Sequence, residues 1–246
     1  MTFYSSLVLF HIFTAVIGII SGGVSAIVRK GSGLHRAAGH IFVFSMLSMA
    51  SAGAFIAAFL KPNIGNVLGG LMTCYLVSTG WMAGRRRARK AGVFDGIATL
   101  GILGLSAAET IFGIQAATSA TGLKAGYPPW PYFMFATIGI VCAQADIRMI
   151  VRGGIEGPKR IVRHLWRMSV AFLFALLSFY PSRAHLFSRA INDSHLLYIP
   201  HILVFGSMMF WIARLLGRRK GVRNEHYQAE RAPRRVLVPV THDGTV

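Results

Sequence analysis

Acidic residues are scarce in this chain: eight Asp and Glu stand against 26 Lys and Arg, leaving a formal net charge of +18. Cysteine is scarcer still. Cys74 and Cys142 lie in separate apolar stretches, which excludes a disulfide framework and offers no metal-ligand spacing. No basic residue precedes the first apolar run, the run exceeds a usual signal h-region, and positive charge follows it. A cleaved secretory signal is therefore not expected, and the segment is predicted to stay in the mature protein. No internal repeat is visible. A closely spaced histidine pair, as a membrane-embedded metal-dependent hydrolase would offer, is also missing at the relevant place: His195 and His201 are six positions apart and do not share a helix face.

What the chain has in abundance is long apolar runs. They cover Ser5–Val28, His40–Leu60, Ile64–Ala83, Phe94–Gln115, Trp130–Val151, His164–Pro181 and Leu196–Leu216. About 20 residues at ~1.5 Å rise cross a ~30 Å hydrocarbon core, so each run predicts a spanning helix. The expected fold is all-α, a bundle of seven transmembrane helices over residues 1–216, followed by a disordered basic tail over 217–246.

The basic residues are sorted by this topology. Twenty-two of the 26 fall in the odd-to-even links and the tail, among them Arg29, Lys30, Arg36, Arg85 to Lys90, Arg148 to Arg167 and Arg214 to Arg235. Only Lys61, Lys124, Arg183 and Arg189 fall on the other face. Excess positive charge marks cytoplasmic loops, so the N-terminus is expected outside and the tail in the cytoplasm of a cell inner (plasma) membrane. The net charge follows from topology, and no nucleic-acid partner is expected, because nucleic-acid binders cluster charge on a folded polar surface. Attraction to anionic inner-leaflet lipid is the plainer consequence.

Ionisable groups inside spans are costly, and they are where function is sought. His11, Glu109 and His201 fall at one depth in the outer half. His35, His40, Asp146, His164 and Arg167 fall near the inner face, with His164 and Arg167 three apart on one helix face. The two layers are roughly 20 to 25 Å apart by helix rise. Such spacing suits two b-type haems with bis-histidine ligation, His11 with His201 outside and His40 or His35 with His164 inside, passing electrons to or from a quinone or small reductant. Arg36 and Arg167 would then be propionate partners. The same residues admit other readings: a small-solute or proton transporter with Glu109, Asp146, His11 and His201 along its path, a two-histidine, one-carboxylate metal site formed by His11, His201 and Glu109, and, ranked after the transporter, a membrane-embedded metal-dependent hydrolase. His185, His195, His226 and His242 are read as hydrated residues of a loop or the tail.

Lys30-Gly31 followed by His35-Arg36-x-x-Gly39, His11 in a glycine-rich first helix, and His164-x-x-Arg167-Met168 resemble the pattern of a widespread bacterial family of predicted polytopic membrane proteins classed as a domain of unknown function. The resemblance spans residues 7 to 212 and implies a fold rather than a reaction. It places weight on His35 and Arg36. Leu165 after His164 departs from the basic residue of that pattern, which puts the role of Arg167 in question. In layout the chain is also similar to ascorbate-reducing di-haem cytochromes, without a residue-by-residue match.

Overall fold

The computed structural model describes residues 3–85, 90–182, 189, 192 and 196–231. Among these, seven helices are long and apolar enough to cross a membrane, consistent with a multi-pass integral membrane protein. We number them α1 (Phe3–Ile27), α2 (Gly33–Phe55, continued by a π-helical turn Ile56–Leu60), α3 (Ile64–Arg85), α4 (Val93–Thr118), α5 (Pro129–Val151), α6 (Gly157–Ser182) and α7 (Ile199–Arg231, entered through the short turn Leu196–Tyr198). Arg86, Arg87, Arg89, His185, His195 and His242 lie outside the described residues.

Local chemistry sets the helix ends. Lys30 Nζ donates to the carbonyls of Ser25 and Ala26 at 2.9 and 2.6 Å, placing a cation on the C-terminal end of α1. Gly31 then takes φ +79°, and Ser32 Oγ accepts from the His35 amide at 3.1 Å to cap α2. At the start of α4, the Asp95 carboxylate accepts from the Gly92 amide at 2.8 Å, and α5 opens with Pro129 in its first turn.

Two expected boundaries shift. The second helix begins at Gly33 rather than at His40, because the Ser32 cap lets His35 and Arg36 occupy its first turns. The sixth begins at Gly157 rather than at His164, so Lys159, Arg160 and Arg163 belong to it. The last helix continues to Arg231, past the point where the tail was expected to begin; residues 232–246 are outside the described set.

The helices pack as two antiparallel hairpins, α1–α2 and α4–α5, against a central α3–α6 pair, with α7 leaning on α6. Met46, Met72, Leu76, Val77, Ile102 and Leu176 form a core that is almost fully buried, joined by edge-to-face rings of Phe42 with Phe172 and Phe135 with Phe174. Close approach rests on small residues. A side chain at Gly22 would meet the Phe42 ring at 2.9 Å, whereas Gly69, in a similar sequence setting, faces open space. Ile202 and Leu203 of α7 are 68% and 65% exposed, as suits helix faces that meet lipid.

Candidate functional site

The most polar place in the interior is built from three helices. Asp146 projects from the buried face of α5, between Ala143 and Met149. Arg163 and Arg167 are one turn apart on α6 and therefore share a face. Tyr75 comes from α3. The Tyr75 hydroxyl donates to Asp146 Oδ2 at 2.5 Å, and Arg167 Nη2 donates to Asp146 Oδ1 at 2.5 Å. Arg163 Nη1 is ion-paired to the same Oδ1. Arg167 Nη2 also reaches the Cys142 carbonyl at 3.4 Å, and its guanidinium lies 5.2 Å from the centre of the Tyr75 ring and 5.6 Å from that of Trp166.

This cluster is buried. Arg167 is 0%, Asp146 1% and Arg163 5% exposed. Two guanidinium groups meet on one carboxylate, and a second buried carboxylate, that of Asp95, lines the cleft beside Arg163. The cluster has unmet donors: Nε and Nη1 of Arg167 are buried without a hydrogen-bond partner. Buried polar groups normally find partners, so an arginine with open N–H groups points to a missing acceptor.

A cleft at the inner-layer end reaches Arg163, alone of the four cluster residues. Its walls include Thr79, Lys90, Asp95, Met149, Arg160 and Arg163, and its free volume is about 20 Å³. That is room on the order of one water molecule. Beside it, a cavity of about 280 Å³ is lined by Arg148, Arg152, Lys159 and Glu156. The Asp95 carboxylate in the first cleft is already engaged by the Gly92 amide.

Glu109 is also completely buried, at 0% exposure, and neither of its carboxyl oxygens has a hydrogen-bond partner. Ser106 abuts Gly139, and Gly113 abuts the Phe133 ring. Glu109 thus faces α5 near Ala136, about 15 Å along the helix from Asp146.

The histidines act as fasteners. A carbonyl can only accept, so the imidazole Nδ1 in each of the following bonds carries the proton. His11 Nδ1 donates to the Met49 carbonyl of α2 at 2.8 Å, and His164 Nδ1 donates to the Gly80 carbonyl of α3 at 2.9 Å. Each ring fits because a glycine faces it: a side chain at Gly53 would meet His11 Cε1 at 2.9 Å, and one at Gly84 would meet His164 Nδ1 at 2.8 Å. His35 Nδ1 donates to the Ser25 carbonyl of α1 at 3.1 Å, and His201 Nδ1 to the carbonyl of Leu197, in the turn that opens α7, at 3.1 Å.

The expected residues are thus regrouped. His11 and His201 are held by different elements, and among the described residues no three His, Cys, Asp or Glu side chains converge as a metal site. His35 lies within electrostatic reach of His164, while His40 is exposed on the bundle surface. Arg36 turns back to the Gly31 carbonyl at 2.9 Å, closing the α1–α2 turn. Asp146 and Arg167, read separately from sequence, are bonded to each other. Arg163 and Tyr75 were missed. Their signals were available: Arg163 sits one turn before Arg167, and a tyrosine in mid-span needs a partner for its hydroxyl.

Comparison with known proteins finds no matching family model, no similar curated protein and no similar solved structure.

Proposed function

We propose that this protein is a multi-pass membrane transporter of a small solute, with its working site at Asp146, Arg163, Arg167 and Tyr75. In this reading the N-terminus is outside and α7 ends in the cytoplasm, as the sorting of basic residues supports. The observation that carries it is the fully buried Arg167 with open donors, one turn along α6 from Arg163, which a cleft reaches. Ionisable groups within a bundle interior are expensive and mark solute or ion paths. A cluster kept only for stability would be filled in hydrogen bonds; this one is not. The α5 and α6 backbones do not pack closely, and the two arginines span the space between them. A change in that bridge would let the α4–α5 hairpin move against the α3–α6 pair, as alternating access requires.

Reconstitution tests this. Liposomes containing the protein, loaded with a panel of small organic acids, amino acids, sugars and a pH-sensitive dye, should show flux of at least one species above empty liposomes. Arg167→Met should reduce that flux at least about tenfold. No flux of any panel member would sink the proposal.

A bis-histidine haem electron carrier is the competing reading. It draws on the inner pair, where Nδ1 of His35 and of His164 is held by a carbonyl and Nε2 is left to act as a ligand. The outer pair fits less well, since the His11 ring lies against α2 at Gly53. A Soret band in protein expressed with haem supplementation would favour it, and its loss in His164→Ala would locate the site.

A further inference from the structure

We infer that the cavity between the inner-layer ends of α5 and α6 binds the phosphate headgroup of an anionic phospholipid, with Arg148, Arg152 and Lys159 as its cationic partners. The inference does not depend on the transporter reading, and either can fail alone.

The cavity comes from the way the two helices are joined. The Gly153 amide donates to the Ile150 carbonyl and the Gly154 amide to the Met149 carbonyl, each at 2.9 Å, with Gly153 and Gly154 at φ +70° and +138°. The link thus closes the end of α5 with its own backbone, and neither Arg148 nor Arg152 is needed to cap it. The chain enters α6 through Gly157, which puts Lys159 in the first turn of that helix and on the same cavity wall.

Space and charge both suit a phosphate. The cavity has a free volume of about 280 Å³, against about 20 Å³ in the neighbouring cleft. Its wall carries three cations and one carboxylate, Glu156, a surplus of two positive charges that a phosphodiester reduces without reversing. The surroundings keep that sign: Lys90, Arg160, Arg163 and Arg167 outnumber the buried carboxylates of Asp95 and Asp146. Arg148, Arg152 and Lys159 are exposed, so their donors face whatever enters the cavity. Guanidinium forks match phosphate oxygens in geometry as well as charge.

A lipid, rather than free phosphate, is indicated by what stands beside the cations. Val151 is 81% exposed, and Ile147, one turn before it, is exposed as well. Ile147 and Val151 form one row along α5, and Arg148 and Arg152 form the next. An apolar row for an acyl chain therefore runs into a cationic pocket for its headgroup. In the proposed orientation this end of the bundle meets the inner leaflet, where anionic lipid is found, and basic pockets between spanning helices there hold such headgroups. Topology alone accounts for cations in the α5–α6 link. It does not account for their meeting on one cavity beside an exposed apolar row.

The test is native mass spectrometry of the full chain in neutral detergent, titrated with phosphatidylglycerol, with phosphatidylcholine and with inorganic phosphate. One phosphatidylglycerol per chain is expected to bind at least about tenfold more tightly than phosphatidylcholine, and inorganic phosphate should not displace it. Each Lys or Arg removed beside an anionic lipid weakens binding about fivefold, so Arg148→Gln with Arg152→Gln should bind about thirtyfold more weakly. Glu156→Gln, which removes the carboxylate, should bind about fivefold more tightly, an opposite shift that a folding defect would not give. Removing the same charge from the end of α7, by Arg218→Gln with Arg219→Gln, should change binding by less than about twofold, because a specific pocket and not the total charge is at work. If the Arg148 and Arg152 double variant does not elute as the wild type does, Lys159→Gln carries the test, with a loss of about fivefold expected. Equal binding of phosphatidylcholine, displacement by inorganic phosphate, an equal loss in the α7 variant, or a shift of the arginine and Glu156 variants in one direction would overturn the assignment.

Discussion

The hydroxyl of Tyr75 on α3 lies 2.5 Å from Oδ2 of Asp146 on α5, while the other carboxylate oxygen takes both arginines of α6. Three helices, α3 and the consecutive α5 and α6, therefore meet on one side chain. The contact ties the α4–α5 hairpin to the central pair, and the consequences of breaking it depend on which member is changed.

Tyr75→Phe removes one donor to a buried carboxylate and leaves the arginines in place. A hydrogen bond to a charged group contributes about 1.5 to 3 kcal/mol, so a clear fall in thermal stability in detergent is expected. Melting of purified variant and wild type side by side checks it; an unchanged melting temperature would contradict the bond's importance.

Asp146→Ala should be far worse, because two guanidinium groups then remain buried without a counter-charge. Breaking a buried ion pair from one side costs about 3 to 5 kcal/mol. The double variant Asp146→Ala with Arg167→Met removes one of those charges as well and should recover part of the loss, a coupling that a double-mutant cycle measures directly. Additive losses would show that the two side chains act independently.

Gly84→Ala should displace the His164 ring, since the added methyl would fall 2.8 Å from Nδ1, and so break its bond to the Gly80 carbonyl. Leaving the His164 Nδ1–H without its acceptor costs about 1 to 3 kcal/mol. In a His164→Ala background the same glycine change should be nearly silent, because the ring that it meets is gone. Comparing the two melting shifts distinguishes a steric effect on the imidazole from a general effect on α3.

Orientation is open to a direct check. Single cysteines at Lys124 and Arg29, in a background with Cys74 and Cys142 replaced by Ala, should react differently with a membrane-impermeant maleimide applied to intact cells. Lys124→Cys is expected to label and Arg29→Cys to stay unlabelled until the membrane is permeabilised. The opposite result would invert the proposed topology.

Much of this was legible along the chain because it is local. Lys30, Gly31 and Ser32 end one helix and start the next through contacts within a few residues, which is why the segment reads as a motif before any coordinates exist. Arg163 was legible only as a basic residue ahead of a span, because charge normally ends an apolar run. Paired with Asp146, it is carried inside the sixth helix instead. The expected grouping of histidines into layers used depth alone. Depth does not say which way a ring points, and His11 turns to Met49 of α2 while His201 turns to Leu197 in the turn that opens α7.

The seven apolar stretches and the all-helical class were determined by sequence, since the cost of placing a residue in hydrocarbon adds up over some 20 neighbours and needs no knowledge of the rest of the chain. Which side chain meets Asp146 was decided only by the tertiary structure. That pairing depends on how α3, α5 and α6 rotate and lean against one another, and these rotations follow from packing across helices that no window along the sequence contains.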